Sequence, residues 1–184
     1  MSSLPAYAEL HCISNFSFLH GASRPEELVQ QAVALNYSAL AITDECSVAG
    51  VVRAHVEAKK LNLKLIIGSD FTSEEGLHFI VLAPDRLAYG QLATLISRAR
   101  RRSEKGEYCV RVTDLQPATD ACLFIWLPDA EQCAQPDAHC DNFLRSTRSR
   151  LWIGLHNNLG AADESLCQAR MQFAQRSGLP LVAC

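Results

Sequence analysis

No Cys-x-x-Cys pair occurs among the eight cysteines of this 184-residue chain, which removes the main support for a zinc-ribbon or thioredoxin-type reading. No run approaches the roughly 20 apolar residues that a membrane span requires, and Met1-Ser-Ser-Leu-Pro-Ala-Tyr7 lacks the basic and apolar regions of a secretory leader. These two absences predict a cytoplasmic protein with no membrane contact. An excess of one charge is missing too: the formal net charge is -3, so any contact with nucleic acid must come from a local basic patch. There is no repeat of fixed period and no low-complexity run, so solenoid architectures and disordered tracts are excluded. In a reducing compartment the scattered thiols read as small buried hydrophobes, with Cys46 and Cys184 set apart because both stand at or just after strand ends.

What is present is ample apolar material: 48% hydrophobic against 20% charged residues, enough for one globular domain with a sizeable core. Ser23, three residues before Glu26 and followed by Pro25, predicts a capping box opening a helix that runs to about Asn36. A short strand follows over Ser38 to Thr43. A helix is expected over Val48 to Leu61 with Val51, His55 and Ala58 on one stripe, and then a strand over Leu63 to Gly68. The next strand, Leu77 to Leu82, is separated from that one only by Phe71-Thr-Ser-Glu-Glu-Gly76, too short for a crossover helix, so a hairpin is predicted. Beyond it are a helix over Arg86 to Arg102 with Leu92, Leu95 and Ile96 inward, strands over Ala121 to Leu127 and Leu151 to Leu155, a helix over Ala162 to Ser177, and a strand over Gly178 to Cys184. Asp129 to Thr147, interrupted by Pro136, reads as loose and partly helical. Because the last apolar strand has no helix to cover it, a fragment of a longer chain is expected.

Two segments carry the functional signal. Ala8-Glu-Leu-His-Cys-Ile-Ser14 and Ala39-Leu-Ala-Ile-Thr-Asp-Glu45 are apolar runs that end abruptly in groups able to bind metal or phosphate, as at the carboxyl ends of strands in α/β enzymes. Ile13 stands where a second histidine would complete a metal-binding pair with His11. Two accounts of His11 stay open, a metal ligand or a buried histidine hydrogen-bonded to Asp44 or Glu45. Asp44 and Glu45 are either ligands or a helix cap and its neighbouring acid. His78 and His55 read as packing histidines, and His156 with Asn157 and Asn158 as a site element or a polar turn. The run Ser97-Arg-Ala-Arg-Arg-Arg102, with Lys105 after it, is either a solvated helix end or a contact for DNA phosphates. No aromatics interleave it, which argues against a stacking platform for single strands.

His11-Cys-Ile-Ser-Asn-Phe-Ser-Phe-Leu-His-Gly-Ala-Ser23, Ala41-Ile-Thr-Asp-Glu45 and Leu65-Ile-Ile-Gly-Ser-Asp-Phe71 resemble the amino-terminal PHP (polymerase and histidinol phosphatase) domain of bacterial C-family DNA polymerase α subunits. The Asn-Phe-Ser-Phe-Leu element and the Glu-Leu-His-Cys lead-in resemble the error-prone branch used in damage tolerance, and the likeness continues through His78-Phe-Ile-Val-Leu-Ala-Pro84 and Gly178-Leu-Pro-Leu-Val-Ala183. The resemblance implies a distorted (β/α)7 TIM-like PHP barrel over residues 1–184, truncated at the carboxyl end, with metal ligands gathered at the strand ends. Of the family's ligand motifs, His11 matches the first member of His-x-His while Ile13 replaces the second. His20 stands for the usual aspartate of Leu-Asp-Gly, Glu45 for the histidine of Thr-Asp-His after a matching Asp44, and Asp70 for the glutamate of Gly-x-Glu. The family's final Asp-x-His would lie beyond Cys184.

A clustered metal site needs several anionic and imidazole ligands to offset repulsion between cations, and Ile13 offers no lone pair. The expected site is therefore a vestigial pocket of His11, His20, Asp44, Glu45 and Asp70. No cofactor is firmly implied beyond one weakly bound divalent metal, zinc, manganese or magnesium. The expected function is a non-catalytic scaffold in an error-prone translesion DNA polymerase, with the other polymerase domains as partners and, by resemblance, DNA, a sliding clamp and a Y-family-like accessory protein. The alternative is a metal-dependent phosphoesterase acting on a phosphomonoester or a nucleic-acid 3′ end.

Overall fold

A computed structural model describes residues 6–115, 118–156 and 160–184. Seven strands, β1 (Ala8–Glu9), β2 (Ala39–Ile42), β3 (Lys64–Thr72), β4 (His78–Ala83), β5 (Leu123–Trp126), β6 (Leu151–Leu155) and β7 (Leu181–Ala183), form one sheet in sequence order. All neighbouring pairs are parallel except β3–β4 and β4–β5, so β4 alone is reversed. The start of β4 therefore stands at the same end of the molecule as the carboxyl ends of the other six strands. The sheet curls round: Leu10, just after β1, and Val182 of β7 pack against one interior cluster of Ala41, Ile80, Leu82, Ile125 and Leu127. This is a nearly closed seven-stranded PHP-type barrel, and the barrel expected from the sequence is what the chain forms.

The strands sort their side chains with a period of two. In β4, Ile80 and Leu82 fill the interior while Phe79 and Val81 face the helices; in β5, Ile125 points in while Phe124 and Trp126 point out. Both sets are apolar because a barrel wrapped by helices buries both faces of its strands. The helices are α1 (Pro25–Ala34), α2 (Val51–Leu61), α3 (Arg86–Arg101), α4 (Ala130–Ala134), α5 (Ala138–Thr147) and α6 (Asp163–Ser177). Phe143 of α5 sits fully buried among Phe79, Phe124 and Trp126 at ring separations of 5.1, 6.0 and 5.5 Å.

Several local expectations shift. The α1 cap is Arg24, whose amide donates to Glu27 Oε2 at 2.8 Å, one residue later than the predicted pair of Ser23 and Glu26, because Pro25 takes the first helical position. Helix α2 starts at Val51 rather than Val48. Its buried stripe is Val51, Ala54 and Ala58, and His55 points to solvent, so the packing role expected of His55 is not found. Strand β3 runs on to Thr72, which shortens the predicted polar loop, and the hairpin to β4 is present. The stretch expected to be loose, Asp129 to Thr147, holds two helices, capped by Asp129 accepting from the Gln132 amide and Asp137 accepting from the Cys140 amide, each at 2.8 Å. The expectation for Asn157 and Asn158 lies outside the described residues.

Cys122, Cys133 and Cys140 are buried, as expected of thiols serving as small hydrophobes; Cys46, set apart in the sequence, is buried with them, while Cys12, Cys109, Cys167 and Cys184 are half-buried. Burial pushes the Cys46, Cys122 and Cys140 thiols up to about 11. A folded pKa above the ordinary thiol value of about 8.5 contributes stability that is complete below that value and is lost as pH rises toward the folded pKa. Stability measured by urea unfolding should therefore fall between about pH 8.5 and about pH 11, and the Cys122→Ala, Cys140→Ala double variant should show a shallower alkaline decline. Separately, Phe143→Ala should lower the unfolding free energy by about 3–5 kcal/mol in the same measurement.

Candidate metal centre

The hairpin delivers the first two groups of the site. In its register Asp70 lies opposite Ile80, an interior residue, so His78, two positions along, shares the inward face with both. His78 Nε2 lies 3.0 and 2.9 Å from the two Asp70 oxygens, and His11 Nε2, arriving after β1, lies 2.6 Å from Asp70 Oδ2. One ligand atom from each of His11, Asp70 and His78 falls within 4.8 Å of the others. Burial pushes the Asp70 carboxyl up, and the hydrogen bonds from His11 and His78 outweigh that, leaving it below the ordinary aspartate range.

His11 and His78 open into a cavity of about 950 Å³ whose wall also includes Ile13, His20, His156 and Arg170, with Asp70 buried behind the two imidazoles. The His156 ring stands 6.4 Å from that of His11, and burial, then the Arg170 charge, pushes its pKa down. Arg170 is 3% exposed; it donates to the carbonyls of Pro128 at 2.8 Å and Gly154 at 3.3 Å, tying α6 to the ends of β5 and β6. Ile13 presents half-buried aliphatic surface to the same space.

The five residues singled out in the sequence separate into three arrangements. His11 and Asp70 meet in the centre. Asp44 is fully buried and its carboxylate accepts from three donors: the Ser14 amide at 2.8 Å, Ser14 Oγ, whose one proton is shared between the two oxygens at 3.0 and 2.7 Å, and Ser17 Oγ at 2.8 Å. Gly50 and Gly21 are pressed against this clasp: a Cβ on Gly50 would lie 2.8 Å from Asp44 Oδ2, and one on Gly21 would lie 2.0 Å from the Ser14 carbonyl oxygen. Asp44 thus fastens the loop after β1; the cap of α2 is Gly50, so the helix-cap account of Asp44 falls. His20 and Glu45 pair with each other at 3.0 Å on the rim, and Glu45 also accepts from the Tyr108 hydroxyl at 3.0 Å.

His11 is hydrogen-bonded to Asp70, not to the expected Asp44 or Glu45. His78 is the residue that sequence reading missed: taken for packing, it stands on the centre itself. Its signal was the predicted hairpin, which returns a strand start to the end where the other strands finish. The Arg98–Arg102 run closes α3, where Arg100 donates to the carbonyls of Glu45 and Cys46 and Arg102 pairs with Asp114.

Residues 9–152 match the PHP domain family. The chain belongs to that family. Proteins named error-prone DNA polymerase are 49% identical over the whole chain in Methylococcus capsulatus, 45% identical over 97% of it in Teredinibacter turnerae and 46% identical over 98% in Dechloromonas aromatica. The chain spans only 17%, 17% and 18% of those relatives' lengths. Among solved structures, one described as a metal-dependent phosphoesterase from Bifidobacterium adolescentis aligns over 98% of this chain and 87% of its own, with a TM-score of 0.65 at 15% identity, which shows the shared PHP fold. A two-domain protein with a PHP-like domain from Bacteroides vulgatus aligns at a TM-score of 0.61 and 16% identity, over 96% of this chain and 50% of its own.

Asp44→Ala leaves the Ser14 and Ser17 donors without their acceptor in a dry site. It should cost about 3–5 kcal/mol in unfolding free energy, whereas Glu45→Ala on the half-exposed rim should cost about 1 kcal/mol or less, both read by urea titration.

Proposed function

We propose that this PHP domain is a non-catalytic scaffold within an error-prone translesion DNA polymerase, supporting cytoplasmic DNA synthesis in damage tolerance, with a degenerate site that holds at most one divalent cation. The observation that carries the reading is the make-up of the site: three ligand groups, His11, Asp70 and His78, converge, while Ile13 lines the same cavity as the two histidines without a lone pair. Two of the donor groups expected from the family's motifs are committed elsewhere, Asp44 to Ser14 and Ser17, and Glu45 to His20 and Tyr108. Identity of 45–49% with error-prone polymerases along nearly the whole chain supports the polymerase context.

The residues present fit one cation. Two imidazole nitrogens and a carboxylate are a donor set for zinc or manganese, and three protein ligands leave a position open to water. Their present spacings of 2.6–3.0 Å are those of hydrogen bonds, so binding requires the two imidazoles to turn their nitrogens from the carboxylate toward the ion. A bound ion there supplies Lewis acidity; Asp70 provides the only carboxylate of the group, and its hydrogen bonds hold it ionised for the task. Clamping both the attacking and the leaving oxygen of a phosphoester is the work of two metals held close together, and this donor set offers a place for one.

DNA, a sliding clamp and a Y-family-like accessory protein belong to this reading as partners of the complete polymerase. The phosphoesterase reading keeps one observation in its favour, the convergence of His11, Asp70 and His78 at the open end of the barrel. Calorimetric titration with zinc or manganese and a colorimetric phosphatase assay decide between them. The scaffold reading expects a stoichiometry of one or none, any affinity found to fall by more than about tenfold on His78→Ala, since losing a ligand costs at least what losing an outer-shell partner does, and no turnover above background. Two or more bound ions with robust turnover would overturn it. The Ile13→His, Glu45→His double variant should take up more metal; an unchanged stoichiometry and affinity would mean that lost ligands are not what limits the site.

A further inference from the structure

The loop between β1 and α1 carries large apolar side chains into solvent at the rim of the cavity. Phe18 is 83% exposed and Leu19 86%, although the chain has ample buried surface elsewhere. Phe16, 41% exposed, lies under the Arg53 guanidinium at 5.7 Å, and Val52 and Val56, both exposed, flank Arg53 on the outer face of α2. The Arg53–Phe16 contact joins the loop to this face of α2.

The loop is held firmly. Asp44 clasps it through Ser14 and Ser17, the Asn15 amide donates to the Ser23 carbonyl at 2.8 Å, and the His20 and Gly21 amides donate to the Ser17 carbonyl at 3.0 and 2.9 Å. Leu19 adopts a left-handed backbone with φ of 67°, a conformation leucine rarely takes. A preordered loop that displays adjacent aromatic and aliphatic side chains has the form of an interface anchor, since little ordering entropy remains to be lost on binding.

Two facts choose the occupant. The relatives are about six times longer than this chain, which spans 17% of their length. Strand β7 runs parallel to β1 through the chain of pairings, so Cys184 reaches the same end of the barrel as the loop and lines the same cavity as His20 and Ile13. Any residues that follow in a chain of the relatives' length start at this rim. We infer that Phe16, Phe18 and Leu19 form an anchor that docks into an apolar pocket on the remaining domains of the same polymerase chain. This deepens the scaffold reading and rests on it.

The test uses the full-length polymerase with the photocrosslinking residue p-benzoylphenylalanine in place of Phe18 or Leu19, and, as controls at the opposite end of the barrel, in place of Leu35 or Leu87. Mixing isotopically light and heavy chains separates crosslinks within one chain from those between copies. The expected result is a crosslink from position 18 or 19, within one chain, to a peptide beyond residue 184. In addition, the Phe18→Ser, Leu19→Ser double variant should release the barrel to trypsin about tenfold faster or more, the scale of losing an interface anchor, with the melting of the barrel itself unchanged. Crosslinks only between copies, or only to an added protein or lipid, overturn the inference. Crosslinks from positions 35 or 87 but none from 18 or 19 overturn the anchor and leave the scaffold standing; none from any position removes both.

Discussion

The Asp44 carboxylate is the fastening on which the open end of the barrel depends. It is buried with no basic partner among the described residues and is made tolerable by three donors, the Ser14 amide and the Ser14 and Ser17 hydroxyls. Those bonds draw the loop after β1 across the end of β2. From there the backbone carries the alignment onward: the Asp70 amide donates to the Asp44 carbonyl at 3.2 Å, Ser69 Oγ donates to the same carbonyl at 2.7 Å, and the Cys46 amide returns to the Asp70 carbonyl at 2.9 Å. The position of Asp70, and so the pairing with His11 and His78, follows from a carboxylate that does not belong to the centre.

This division of labour separates what holds the barrel's open end together from what could hold an ion there. One acid, Asp44, is committed to holding the loop, and another, Asp70, to collecting imidazoles. Ile13 presents an aliphatic side chain to the cavity, and a change of residue there would alter the set of donors without touching the clasp. Replacing Asp44 would undo the loop whether or not metal was ever bound there. Chemistry and architecture share one end of the fold, but they rest on different carboxylates.

Much of the architecture was legible in the sequence because it depends on period and length. The short gap between Gly68 and Leu77 forced a hairpin, and the two-sided apolar strands pointed to a wrapped sheet. Asp129 to Thr147 was harder, since Pro136 and scattered polar groups masked two short helices whose evidence lay only in their aspartate caps. The site was half legible. His11, Asp70, Asp44 and Glu45 all stand at strand ends, as expected, but which of them meet is decided by contacts between residues that are distant in the chain: Ser14 lies 30 positions from Asp44, and His11 lies 59 from Asp70. His78 escaped because strand starts normally face away from such a site, and only the reversal of β4 brings this one round.

That reversal bears on how the protein comes together. Asp70 and His78 are only eight positions apart and sit on one hairpin, whereas His11 comes from the end of β1, beyond the intervening β2 and 59 positions away in the chain. Pairings of low sequence separation close quickly, while remote ones wait for the rest of the chain to assemble. A carboxylate-imidazole couple therefore exists as soon as β3 and β4 zip together, and the last imidazole arrives only when β1 and β2 have joined them, so occupancy of the full triad reports on the assembly of the first four strands.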